Sequence, residues 1–263
     1  MATVELLRGH RVARAADPML AALAAAARAA GDTVNETHRY QGGSDWLILF
    51  GVGAKEHDAA RRAQLAAGGR ALVWDLGYID REKKGGHLRM SIDTDHPPQW
   101  LEKTPSDPSR LEKLSAKLRE DADPSGPILL IGLGHKSRAY LKLKNWEQRA
   151  FESVQRRFPG RRVIFRPKGA DELRLACDVD PTSSISDLLR GASLVVCRHS
   201  NVAIDAAIAG VPFEAEDGAA MWLHGREFTR ENRLEFLKRL AYWQWKPAEA
   251  AQAWAFAKEI ACA

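Results

Sequence analysis

At 263 residues the chain is long enough for one large or two small domains, each with its own core. Hydrophobic residues make up 45% and charged residues 28%, an ordinary balance for a soluble globular protein. No apolar run approaches the ~18 residues of a membrane span, and the alanine-rich stretch 19–30 carries Arg28 and reads as a packed helix rather than a secretion signal. Three cysteines without ligand spacing, Cys177, Cys197 and Cys262, fit reduced thiols and a cytoplasmic location.

In chain order the pattern alternates between helix and strand. After the helix at 19–30 comes Trp46-Leu47-Ile48-Leu49-Phe50, a buried strand ending in Gly51-Val52-Gly53. A helix over 55–67, a strand over 71–74, a loop from Asp75 to Tyr78, a strand over 88–92 and a helix over 109–119 follow. Charge, Pro and Gly cluster at 120–127, which marks a linker. Beyond it the alternation repeats: strands at 128–131, 162–165, 194–197 and 211–213, helices at 145–157, 185–190 and 202–209, and terminal helices at 227–240 and 248–259. Short apolar strands alternating with helices predict parallel sheets covered on both faces. Two such series predict an α/β protein of two Rossmann-like domains, 1–122 and 127–263.

In open parallel sheets ligands sit beyond the carboxyl ends of the strands. That singles out Gly132–Ser137 (GLGHKS), Arg166-Pro167-Lys168-Gly169 and Arg198-His199-Ser200-Asn201. The first has a GxG turn, with Ser137 where a dinucleotide fingerprint has its third glycine, and Lys136 able to pair with a phosphate. The second puts two cations at a strand end, suited to a diphosphate. In the third, Ser200 or Asn201 can cap a helix whose N-terminus attracts anions, and Gly210 with Pro212 ends that helix. Each can equally be a plain strand–loop–helix element. Charge adds direction: residues 1–124 balance 18 basic against 18 acidic groups, whereas residues 136–168 hold 11 Lys/Arg and two acids, a net of +9. Such a concentration suits a polyanion or a phosphate ligand, or a solvated basic face.

Residues 163–213 resemble the carboxy-terminal half of GT-B glycosyltransferases. That family has a strand ending in Arg-x-His/Lys-like residues, a short helix, a strand, and then Ser-x-x-x-x-Glu-Ala-x-x-x-Gly-x-Pro. This chain has Ser200, Asp205, Ala206, Gly210 and Pro212 at those spacings, with Asp205 shorter by one methylene than the family's glutamate. The resemblance implies a nucleotide sugar, UDP-linked, in a cleft between the domains, and no metal or other cofactor. Ser200 and Asn201, with Lys136, Arg166 and Lys168, would hold the donor phosphates, and Asp205 the donor ribose. The amino-terminal half would then carry the acceptor and a base. Asp75, directly after a strand, is the first choice over His87, Asp93 and Asp95. Tyr78, Lys83, Lys84 and Arg89, on a glycine-hinged basic segment, would face the acceptor. Small size and Arg/Ala-rich composition resemble phage DNA-modifying glycosyltransferases, which points to a hydroxymethylated base as acceptor. A polysaccharide or small molecule stays open.

Two further features bear on this reading. Asp93-Thr94-Asp95-His96 resembles a metal-binding DxD but precedes Pro97-Pro98 and reads as loop surface. The aromatics Tyr242, Trp243, Trp245 and Trp254 fit core packing and a last helix crossing back to the first domain, as in GT-B proteins, better than a stacking platform. Two other functions remain: a nicotinamide-dependent oxidoreductase using Gly132–Ser137 with Glu152 toward ribose, and a non-catalytic nucleic-acid-binding module.

Overall fold

A computed structural model describes residues 1–8, 17–53, 55–81, 85–169 and 175–262. The chain divides into two compact units: Met1–Ser115 with Lys238–Ala263, and Ala116–Leu237. The elements of the first are β1 (Thr3–Leu7), α1 (Asp17–Ala29), β2 (Thr33–Thr37), β3 (Trp46–Phe50), α2 (Lys55–Ala66), β4 (Arg70–Leu76) and β5 (Leu88–Ile92). β2, β1, β3 and β4 are parallel, and β5 runs antiparallel to β4.

Two of these strands escape the sequence pattern. β1 has Glu5 at its centre, 2% exposed, which interrupts the apolar run. Its carboxylate is satisfied by the Thr37 hydroxyl at 2.9 Å and the Gln41 and Gly42 N–H groups at 2.7 and 3.0 Å, so burial is compensated. β2 is a polar edge strand with no fully buried residue. The helix expected over 109–119 is reduced to one 3-10 turn, Leu111–Lys113. Arg110 is drawn away to Glu249 at 2.6 Å and over the Trp245 ring, 3.8 Å from its centroid. Further on, the Arg119 and Asp121 N–H groups donate to the Ile208 and Ala209 carbonyls at 2.8 and 2.7 Å.

The second unit holds β6 (Ile128–Ile131), α3 (His135–Tyr140), α4 (Trp146–Arg157), β7 (Val163–Arg166), β8 (Asp178–Val179), α5 (Ile185–Leu189), β9 (Leu194–Cys197), α6 (Val202–Ala209), β10 (Phe213–Ala215) and the start of α7 (Arg230–Ala241). Its sheet runs β10-β9-β6-β7-β8, with every pair parallel. A core of Leu130, Trp146, Phe151, Val154 and Phe165 lies between the sheet and α4. The strand order reverses direction between β6 and β9. That is the switch point where open α/β sheets bind ligands, because the connections leave on opposite faces there and open a crevice. The 120–127 segment is no free linker. It belongs to this unit, bonded to α6 and, through Asp123 N–H, to Ala192 O at 3.1 Å.

The chain then returns to the first unit with β11 (Gln244–Trp245) and α8 (Ala250–Cys262). β11 pairs antiparallel with β5 and completes a six-stranded sheet, β11-β5-β4-β3-β1-β2. The division at 127–263 therefore needs correcting: from Lys238 onward the chain belongs to the amino-terminal unit. The tryptophans carry this return. Trp243 and Trp254 are 0% and 1% exposed. Trp254 meets Trp46 edge-on at 5.2 Å, and Trp243 Nε1 donates to Thr104 Oγ1 at 2.9 Å. Gln244 Oε1 accepts both the Tyr78 and Ile79 N–H groups, at 2.7 and 2.8 Å, fixing the loop after β4.

Asp32 ties α8 to the chain's start. One oxygen accepts Ala2 N–H at 2.9 Å, and the other accepts Trp254 Nε1 and Lys258 Nζ, both at 2.8 Å. Burial pushes its pKa up, but Lys258, Trp254 and the Ala2 amide outweigh it and hold the value below the ordinary one. A carboxylate with a depressed folded pKa stabilises above its unfolded value of about 4, and that contribution fades as pH falls through the folded value. Urea midpoints of the wild type should therefore drop more steeply below about pH 4 than those of Asp32→Asn. Parallel pH profiles would show that the group does not couple to folding.

Candidate functional site

At the switch point of the second unit a small pocket is bounded by Gly132, Leu133 and Gly134 after β6, Lys168 after β7, and Arg198, His199 and Ser200 after β9. Local chemistry makes each wall. A Cβ on Gly132 would stand 3.1 Å from the Phe165 ring and 3.3 Å from Pro167 Cα, so glycine lets these loops approach without displacing either. Leu133 N–H donates at 2.9 Å to Glu147 on α4, which is 1% exposed and neutralised by Arg138 at 2.5 Å. The Lys168 stem lies along Gly134, where a Cβ would meet its Cδ at 3.5 Å. His199 Nε2 and Ser137 Oγ, 3.1 Å apart, tie the β9 loop to α3.

Of the five residues expected at phosphate, Lys168 and Ser200 line this pocket. Asn201 occupies the N-cap position of α6, but its side chain makes no cap hydrogen bond; Ser200 Oγ instead accepts Val202 N–H at 3.3 Å. The Ala203 and Ile204 N–H groups also have local acceptors, Ser200 O and Asn201 O at 3.1 and 2.9 Å. The helix end thus offers its dipole more than open N–H groups. Lys136 is exposed on α3 and Arg166 donates to Asp180 O at 3.1 Å, so neither lines the pocket. Asp205 sits half-buried one turn into α6.

Arg198 lies in a segment that the sequence singles out, but sequence reasoning assigns it no role of its own. Its Nε and Nη1 are buried and have no hydrogen-bond acceptor. The nearest acids are loose: Glu216 at 3.5 Å and Asp217 at 3.6 Å. A buried donor left unmade costs about 1–3 kcal/mol, so this guanidinium is poised for an acceptor. The detectable signal was a cation directly after an apolar strand. Arg198 also lines a larger groove between α4 and β10, with Trp146, Arg149, Phe213 and Glu216 among its walls.

In the first unit, Asp75, Tyr78 and Arg89 come together. Asp75 and Arg89 are register partners across β4 and β5. Arg89, 6% exposed, donates to Asp75 Oδ2 and Asp95 Oδ1, each at 3.0 Å, and lies 3.2 Å from His96 Nδ1 and 3.5 Å from the Tyr78 hydroxyl. Tyr78 is fully buried, which pushes its phenol above the usual range and keeps it protonated. Tyr78 and Arg89 therefore stand behind the carboxylates. Asp75 and Asp95 keep 34% and 38% of their side chains exposed. Lys83 and Lys84 lie outside the described residues.

The other candidate bases are occupied differently. Asp93 accepts Ala71 N–H at 3.0 Å and pairs with Arg70 at 2.6 Å. His87 is buried, and that burial, with Lys246 nearby, holds its pKa below the ordinary value. Among the described residues no group of three or more His, Cys, Asp or Glu side chains is placed to hold a metal ion.

The basic segment is partly structural. Arg138, Arg157 and Arg162 pair with Glu147, Glu214 and Asp178, and Arg161 donates to the Pro124 and Gly126 carbonyls at 2.7 Å. Lys136, Lys142, Lys144, Arg149 and Arg156 are exposed. Glu152, considered for a nicotinamide ribose, is exposed within α4 and bonded to Gln148 at 2.9 Å, away from any strand end.

Comparison with known proteins places the fold. No family model matches the chain, and no curated protein sequence does. Two solved structures from Thermosulfurimonas dismutans KpsC are similar over nearly the whole length. Its beta Kdo 2,4 transferase aligns with a TM-score of 0.57 at 13% identity, covering 94% of each chain. Its beta Kdo 2,7 transferase aligns with a TM-score of 0.55 at 14% identity, covering 98% of this chain and 100% of that one. The fold is accordingly α/β with two Rossmann-like units, of the GT-B type.

Proposed function

We propose that the protein is a glycosyltransferase that moves a sugar from a nucleotide-sugar donor to an acceptor hydroxyl. The observation that carries this is the convergence of Lys168, Arg198 and Ser200 at the β6/β9 switch point of a fold of the GT-B type. Bond breaking between sugar and phosphate leaves growing negative charge on the departing group. Fixed cations aimed at that charge supply the greatest stabilisation open to such a reaction. Lys168 and Ser200 take the donor phosphates, with Asn201 beside them and Lys136 and Arg166 supplying positive field from the same sheet edge. Asp205, one turn into α6, takes the ribose. The donor is UDP-linked, and no metal or further cofactor takes part. Asp75, the half-exposed carboxylate backed by Arg89, takes the proton of the acceptor hydroxyl.

The exposed cations of residues 136–156 support an anionic acceptor, for which we propose DNA carrying a hydroxymethylated base, as in phage-type modification. Such a base must leave the stack to react. The names of the two KpsC transferases favour a second reading, a saccharide acceptor.

A thermal-shift panel of UDP, GDP, CMP and NAD tests the proposal. A ligand bound only by the native state at 100 times its Kd adds about 2.7 kcal/mol of stability. UDP is expected to raise the melting temperature most and NAD not at all. A shift with NAD alone would overturn the transferase.

A further inference from the structure

We infer that Arg198 is the principal anchor for the donor diphosphate, a role that rests on the nucleotide-sugar reading above. Three observations carry it. Its Nε and Nη1 are buried without a hydrogen-bond acceptor, so the folded chain leaves two strong donors unspent. The adjacent carboxylates are committed elsewhere: Glu216 Oε1 accepts Trp146 Nε1 at 2.6 Å, and Asp217 Oδ1 accepts Gly218 N–H at 2.6 Å. Their remaining oxygens lie 3.5 and 3.6 Å from the guanidinium, near enough to hold it and too far to satisfy it. Finally, Arg198 lines both the switch-point pocket and the groove between α4 and β10. A diphosphate joins two larger groups, a nucleoside and a sugar. Arg198 borders both cavities, so its guanidinium can reach an anion held in either.

The chemistry fits the residue. A planar guanidinium presents N–H donors on more than one edge, so Nε and Nη1 can each take a phosphate oxygen, a spread that a lysine point charge lacks. Binding an anion then replaces two long ion contacts by short charge-assisted bonds. Glu216 and Asp217 act against this, because each lowers the local positive potential the phosphate would feel.

Isothermal titration of the full chain with UDP, uridine and inorganic pyrophosphate tests the inference on Arg198→Gln, Arg198→Lys and Asp217→Asn. Arg198→Gln should weaken UDP and pyrophosphate at least 10-fold, with Arg198→Lys between it and wild type. Asp217→Asn keeps an acceptor for Gly218 N–H but removes a competing charge, and should tighten both ligands severalfold. A merely structural Arg198 predicts the reverse sign for Asp217→Asn, since loosening its ion contact would loosen the loop. This second variant keeps the inference testable if Arg198→Gln folds poorly. Wild-type-like UDP binding by Arg198→Gln overturns the anchor and leaves the transferase standing. Arg198-dependent pyrophosphate binding without UDP binding upholds the anion site and overturns the UDP-linked donor. Binding of neither ligand by wild type overturns both.

Discussion

Asp75→Asn should lower the transfer rate about 100- to 10,000-fold, the usual range for losing a general base, while UDP binding stays at the wild-type level. The two readouts separate because Asp75 belongs to the first unit and the proposed phosphate groups to the second. Asparagine is nearly isosteric. Its single oxygen can still accept the Leu76 N–H, as Asp75 Oδ1 does at 2.7 Å, while its NH2 stands where Oδ2 accepted Arg89 at 3.0 Å. What it lacks is a basic lone pair for the acceptor's proton. The structural confound is Arg89, a buried cation shared between two carboxylates. Asp95→Asn supplies the control, because it removes the same kind of ion contact from the same guanidinium. If both variants lose similar small amounts of stability and only Asp75→Asn loses turnover, the role is chemical. Equal losses of turnover in the two would make the cluster a support for the β4–β5 loops and send the search for the base elsewhere.

That cluster shows what the sequence displays and what it hides. Asp75 was visible because it directly follows the apolar residues of β4. Its register pairing with Arg89 was not, since one-residue alternation does not say which strands meet. The apolar strands β3, β6 and β9 were legible as uninterrupted runs bounded by glycine or polar turns. β1 was not, because Glu5 breaks the run and is buried only by virtue of Thr37, Gln41 and Gly42, more than thirty residues away. The same limit applies to the second unit. Lys168 and Ser200 could be placed at strand ends from spacing. The unmet donors of Arg198 depend on where Glu216 and Asp217 come to rest, a tertiary fact. The helical leucine spacing at 109–119 misled for a related reason: the backbone N–H groups of Arg119 and Asp121 found partners on the last turn of α6, whose carbonyls have none within their own helix.

Arg233→Met should cost the most stability of these changes, about 1–3 kcal/mol for each buried carbonyl it leaves without a donor. Against the 5–15 kcal/mol typical of a folded domain, that is enough to unfold much of the chain in mild urea. Arg233 is 2% exposed. Its guanidinium donates to Ala207 O at 3.0 Å, Arg119 O at 3.2 Å and Thr229 O at 3.3 Å, and also bonds Glu120. It thereby closes α6 and the 116–127 segment onto the start of α7. Gly210, at φ +78°, sits under the same crossing: a Cβ there would stand 2.6 Å from Arg119 O, so the segment has no slack to shift and compensate. The ion pair is the lesser part of this. Glu120 is 59% exposed, and solvent screening leaves such a partner about 0–1 kcal/mol. Burial raises the Glu120 pKa while Arg233, then Arg230, outweighs it, so its carboxylate stays ionised at neutral pH without contributing much. Glu120→Gln should therefore move the urea midpoint little, and the double variant should lie close to Arg233→Met alone. If Glu120→Gln proves as destabilising as Arg233→Met, the ion pair rather than the carbonyl cage holds this crossing, and the ranking of the two effects is reversed.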